Sequence, residues 1–171
     1  MLRRRTENSS CAKNSAFLTG DGAKTMCLIV DINVAHRILL VEVDEQYGHV
    51  RKCLDRNLAR IVYGGELNRE YQRSESIRRI IVAYDRAGKA RKIDDKLVDN
   101  ETEVIQELAL CRSNDVHIIA LARVANVRLL CSADQALHED FRNKALIDKP
   151  RGSVYQDESH KHLLRQHCAN R

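Results

Sequence analysis

The stretch CLIVDINVA, Cys27 to Ala35, decides how the rest of the chain is read. Its apolar run, Cys27 to Val30, suits a strand buried on both faces, as in a parallel sheet. The run stops at Asp31, after which Val34, Ile38 and Val41 recur at helical spacing. A strand passing into a helix within a few residues is the first half of a β-α-β unit, so the expected class is α/β.

Working outward, Glu45 to Asn57 carries a weaker helical pattern, with Val50 and Leu54 on one side. LARIVY, Leu58 to Tyr63, reads as the second strand. Gly64 and Gly65 end it before one long helix from Glu66 to the region of Asp85. AGKARKIDD interrupts the pattern. A further helix is expected over Glu101 to Cys111, with Val104, Ile105, Leu108 and Cys111 as its stripe. SNDVHIIALARVA opens on residues suited to an N-cap and continues nearly all apolar, which fits a helix packed against the sheet. Val127 to Cys131 is the next buried strand, breaking at Ser132 to Asp134 into the helix QALHEDF. After Pro150 and Gly152, SVYQ reads as a last short strand.

The chain of 171 residues suits one domain with a substantial core. Residues 1–25 lack periodicity and are expected to be a disordered N-terminal extension. Met26 is an alternative native start. The folded unit is expected over 26–156, followed by a His-containing tail over 157–171. A net charge of +5 favours anionic partners, of which nucleic acid is the commonest. Six scattered cysteines without a CxxC pair read as reduced thiols. No apolar run reaches the roughly 18 residues of a membrane span, so a cytoplasmic protein without membrane association is expected.

In a parallel β-α-β sheet the strand C-termini and helix N-termini share one edge, where ligands bind. Asp31 ends the first strand, Glu66 opens the helix after the second, Asp115 opens the apolar helix, and Asp134 follows the strand at Cys131. Any one of these acids is explained as a helix cap. Crowded together, like carboxylates repel and raise each other's pKa unless a cation is present. Oxygen donors without His or Cys select a hard ion, Mg²⁺ or Mn²⁺. Such an ion suits hydrolysis of a phosphodiester by activated water.

These residues resemble the PIN domain family, whose members are mostly metal-dependent ribonucleases. The opening signature of a buried strand, Asp, any residue, then Ser, Thr or Asn is matched by Asp31, Ile32 and Asn33. The second acid is matched by Glu66 in YGGELNREY and the third by Asp115 in SNDVHIIALA. The last is matched by Ser132, Ala133 and Asp134, with Phe141 at the following apolar position. The resemblance implies a three-layer α/β/α sandwich around a parallel sheet of four or five strands. It also implies Mg or Mn held by these four acids and an endoribonuclease acting on RNA, with the toxin of a toxin and antitoxin pair as the commonest role. That role brings an antitoxin-like protein as partner, and a homodimer is also compatible. The tail beyond Pro150 exceeds what a minimal member needs.

Other residues carry weaker readings. Asn33 either reaches the metal through a water or caps its helix, and Ser132 has the same two readings. Glu70, one turn after Glu66, is the substitute second ligand. Glu139 and Asp140 read as solvated, with Asp140 the one that would extend the acidic cluster. Of the arginines between Arg69 and Arg91, Arg69 and Arg73 are the candidates for RNA phosphates, against the plainer reading of a solvated helix face. His160, His162, His167 and Cys168 match no zinc spacing. His36, His117 and His138 lack a nucleophile partner. A catalytically silent RNA- or protein-binding module is the rival reading. An Asp-nucleophile phosphatase ranks behind it, because Asn33 stands where that chemistry wants a second Asp.

Overall fold

The computed structural model describes residues 25–40 and 42–166, with the side chains of 165 and 166 left aside. The expected N-terminal extension up to residue 24, together with Val41, His167 and Cys168, lies outside the described residues.

The opening run forms β1, Met26–Val30, and helix α1, Ile32–Leu39, follows with Asp31 as its only spacer. A single 3-10 turn, Glu45–Tyr47, leads into α2, Gly48–Asp55. Strand β2, Ala59–Tyr63, is followed by α3, Gly65–Arg73, and α4, Glu75–Arg86. Strand β3, Ala90–Lys92, precedes α5, Asp95–Leu108, and α6, Val116–Ala125. Strand β4, Leu129–Cys131, α7, Gln135–Phe141, and β5, Ser153–Tyr155, complete the sheet. A 3-10 turn, Glu158–His162, and α8, Leu163–Gln166, follow.

The five strands run in the order β3-β2-β1-β4-β5, and every neighbouring pair is parallel. Leu28, Ile29 and Val30 are all buried although alternate residues face opposite sides of a strand, and β4 is buried throughout. Both faces of the sheet are therefore covered by helices, giving the three-layer α/β/α sandwich. The chain steps from β1 to β2 on one side and later places β4 on the other side of β1. The interval between β1 and β4 is the switch point at which an open parallel sheet leaves a crevice outside its strand C-termini.

Several elements differ from the sequence reading. AGKARKIDD contains β3, whose register pairs Ile61 with Ala90 and Tyr63 with Lys92. It is an edge strand with two exposed basic residues, which is why it carries no apolar run. The helix expected at Glu101 begins at Asp95, capped by Asp94, and ends at Leu108, so Cys111 lies beyond it. On that helix Val98 and Ile105 are buried while Leu97, Val104 and Leu108 are exposed.

The long helix expected from Glu66 to Asp85 is broken at Ser74, whose extended backbone separates α3 from α4. The break matters because α3 does not run straight back along the sheet. Its start sits beyond the end of β3: a Cβ on Gly65 would lie 2.6 Å from Val98 Cγ1, and Gly65, at φ +57°, donates its N–H to Asp95 Oδ1 at 2.8 Å. Both the close approach and the left-handed backbone call for glycine there. By Tyr71 the helix has reached β1, because the buried Tyr71 hydroxyl donates to the carbonyl of Val30. Helix α3 thus lies along the C-terminal edge of the sheet, and α4 makes the return.

Candidate active site at the strand C-termini

Asp31 and Asp134 flank the switch point. Asp31 is 3% exposed; its N–H is held by the carbonyl of Cys131 at 2.9 Å, which locks the end of β1 to the end of β4. The Asp31 carboxylate accepts from Ser132 Oγ at 2.7 Å and only distantly, at 3.5 Å, from the N–H of Asn33. Burial pushes the Asp31 carboxyl above the ordinary carboxylate range. The Ser132 hydrogen bond opposes that push, and the charges of Asp115 and Glu70 add to it.

Asp115 sits at the N-cap position of α6 without making a side-chain capping bond. Its carboxyl is also pushed up, first by burial and then by Glu70 and Asp134, against an opposing contribution from His117. Asp31, Glu70, Asp115 and Asp134 are therefore close enough for their charges to act on one another. Asp134 does cap its helix, accepting from the N–H of Leu137 at 2.8 Å through one oxygen. The cap explanation is complete for Asp134, weak for Asp31 and inapplicable to Asp115.

Glu66 is not part of this group. One of its oxygens accepts from Arg69 Nε at 2.6 Å and the other from Arg73 at 2.9 Å, and the Arg69 hydrogen bond above all holds its carboxyl below the usual range. The second acid that reaches the cluster is Glu70, one turn further along α3, about 6 Å at 1.5 Å per residue. Sequence reasoning put the acid at the helix start because it took that start to lie at the crevice. With α3 laid along the edge, its start lies beside β3 and its second turn lies beside Asp31.

Arg69 is already paired in this structure: its guanidinium spans Glu66 and Asp99 with bonds of 2.6, 3.1 and 2.8 Å. Arg73 gives one nitrogen to Glu66 and leaves its side chain 68% exposed. Arg78 and Arg86, exposed on α4, form no ion pair with the described residues.

Asn33 and Ser132 stitch the two junctions together. Ser132 Oγ donates to Asp31 and accepts from the N–H of Asp134 at 3.0 Å and from Asn33 Nδ2 at 3.3 Å, which uses the full capacity of a hydroxyl. Asn33 Oδ1 in turn accepts from the N–H of Ala133 at 3.2 Å. Asn33 stands inside α1, whose cap is Asp31, so its side chain is not the helix cap.

Two supporting residues escaped the sequence reading. Asp140, read there as solvated, is 2% exposed and accepts from the N–H groups of Arg112 and Ser113 at 2.9 and 2.8 Å, fixing the loop that delivers Asp115. Its place between exposed Glu139 and buried Phe141 carried the signal, because Leu137, Asp140 and Phe141 share one helix face. His117, 8% exposed, turns Nε2 toward Glu70 Oε2 at 3.6 Å, and neither atom has a hydrogen-bond partner. A buried polar group left so costs about 1–3 kcal/mol. His138 is held away, with Nε2 on the carbonyl of Ser132 at 2.8 Å. The described part of the tail packs on the domain through Leu164, and His160 lies beside the Tyr155 ring.

The donor chemistry at the edge fits a hard cation: carboxylate oxygens, mutual repulsion, a buried orphan oxygen on Glu70 and an acid at an N-cap position that caps nothing. Among the described residues, no group of three or more His, Cys, Asp or Glu side chains is set to hold a metal ion. No helix among the described residues is long and apolar enough to cross a membrane.

The sequence matches no protein-family model and no curated protein. Among solved structures the chain is similar to the crystal structure of VapBC2 from Rickettsia felis bound to a DNA fragment from their promoter, at 14% identity and a TM-score of 0.41, over 75% of this chain and 97% of that chain.

Proposed function

We propose that this protein is a PIN-like, Mg²⁺- or Mn²⁺-dependent endoribonuclease whose acids are Asp31, Glu70, Asp115 and Asp134. What supports the reading is that burial and neighbouring carboxylates push both Asp31 and Asp115 up at the switch point: Asp115 and Glu70 act on Asp31, and Glu70 and Asp134 act on Asp115. Ionised carboxylates kept this close are stabilised by a shared cation, and the resemblance to PIN domains carries the same ligands except for the exchange of Glu66 for Glu70. A bound divalent ion supplies the charge that lowers the pKa of its water and stabilises the leaving oxygen.

The chain's own residues do the rest. Ser132 and Asn33 keep Asp31 aimed across the crevice, and Asp140 keeps the loop before Asp115 in place. The buried floor formed by Val30 and Cys131 excludes bulk water from beneath the acids. Arg73, Arg78 and Arg86 offer exposed charge to the RNA phosphates, replacing the Arg69 and Arg73 pair of the sequence reading. The toxin of a toxin and antitoxin pair is the biological role that accompanies this reading, with an antitoxin-like protein as partner.

The test is cleavage of single-stranded RNA by purified protein with added Mn²⁺. Activity lost in Asp31→Asn, Asp115→Asn and Glu70→Gln but kept in Glu66→Gln supports the assignment. Equal activity in all four variants sinks it. The rival, a silent RNA-binding module, draws on the absence of a ready-made metal group among the described residues. It predicts RNA affinity that falls steeply with salt and no metal-linked heat.

A further inference from the structure

We infer that His117 is a positioning residue for Glu70, holding that carboxylate toward the divalent ion by donating from Nε2. The inference rests on the metal-dependent reading above and goes beyond it, because His117 belongs to none of the acid motifs. The two side chains come from different helices, α3 and α6, and meet beside the edge of the sheet. Glu70 Oε2 and His117 Nε2 stand 3.6 Å apart, both buried and both without a hydrogen-bond partner. A neutral imidazole with its proton on Nε2 needs an acceptor there, and a carboxylate oxygen is one.

The gap between them is slightly too long for a hydrogen bond. If a divalent ion were held by these acids, Glu70 would contribute one oxygen to it and His117 would be the donor available to the other. A carboxylate ligand hydrogen-bonded from outside the coordination sphere is the usual way proteins set the direction of a metal bond. His117 also lines a cleft together with Glu66, Arg69, Asp99 and Asn114.

The test measures Mn²⁺ uptake by calorimetry, without RNA, on the full chain of wild type, His117→Ala, His117→Gln, Glu70→Gln and Asp31→Asn, each checked by thermal unfolding. The inference expects His117→Ala to weaken Mn²⁺ binding about tenfold or more and His117→Gln, whose amide nitrogen can reach a similar point, to restore most of it. It further expects His117→Ala to add little weakening when combined with Glu70→Gln. Unchanged affinity in His117→Ala, with Asp31→Asn still abolishing uptake, overturns the role of His117 and leaves the metal site standing. An additive loss in the double variant, or no rescue by Gln, also overturns it. A wild-type protein that takes up no Mn²⁺ overturns both.

Discussion

Helix α3 carries two glutamates one turn apart in opposite situations. Glu66, at its first turn, is enclosed by Arg69 and Arg73, and those cations hold it ionised. Glu70 has no cation of that kind; it faces His117 and adds its charge to the burial that pushes Asp31 and Asp115 up. The first arrangement stabilises the apoprotein modestly, as exposed ion pairs do. The second carries a standing electrostatic penalty. On the proposed metal-dependent reading, a bound divalent cation would offset that penalty.

The comparison breaks most readily on activity. If α3 positions the site through its second turn, Glu70→Gln and Asp31→Asn each lower Mn²⁺-dependent RNA cleavage by about 10² to 10⁴-fold, while Glu66→Gln stays within about threefold of wild type. Single-turnover rates on a short RNA measure it, and the reverse order would return the second ligand to Glu66.

Next in size is the loop that delivers Asp115. Asp140→Ala strips an acceptor from the N–H groups of Arg112 and Ser113, and at about 1–3 kcal/mol for each group the loss should be roughly 2–6 kcal/mol. Urea unfolding measures the loss. A change confined to the noise would mean that the loop holds itself.

The pH dependence sharpens the contrast further. A carboxyl whose folded pKa is raised binds its proton more tightly in the native state, so its contribution is present at low pH and lost as pH rises through the raised value. Asp31 and Asp115 should therefore destabilise the metal-free protein at neutral pH, and Asp31→Asn and Asp115→Asn should raise its melting temperature there. Near pH 4 and below the gain should shrink. Added Mn²⁺ should stabilise the wild type and leave Asp31→Asn unmoved. Lower stability of both variants at pH 7 would contradict the repulsion. The smallest effect is on the satisfied side: Glu66→Gln should cost under about 1 kcal/mol, and less in high salt.

Much of the fold was legible because burial on both faces writes itself into sequence as continuous apolar runs. Cys27 to Val30 and Val127 to Cys131 announced β1 and β4, and the residues that terminate them, Asp31 and Asp134, came with them. Strand β3 was not legible because an edge strand needs only Ala90 inward. The break at Ser74 was missed because no glycine or proline marks it; its trace is the six-residue step from buried Tyr71 to buried Ile77, which is out of phase for one helix. Asp140 looked solvated because its partners are backbone N–H groups, which carry no residue identity, and His117 looked incidental because Glu70 is 47 positions away in the chain.

What the sequence determined by itself is the parallel α/β class, the buried strands β1, β2 and β4, and the placing of Asp31 and Asp134 after two of them. Each follows from period, length and the residue that ends a run, all local properties. Only the tertiary structure decided which glutamate faces Asp31, which arginines are already engaged and which side chains are left without partners. The physical reason is the course of α3: laid along the edge by the packing of Gly65 on Val98 and by Tyr71 on Val30, it carries Glu66 away from the crevice and brings Glu70 into it.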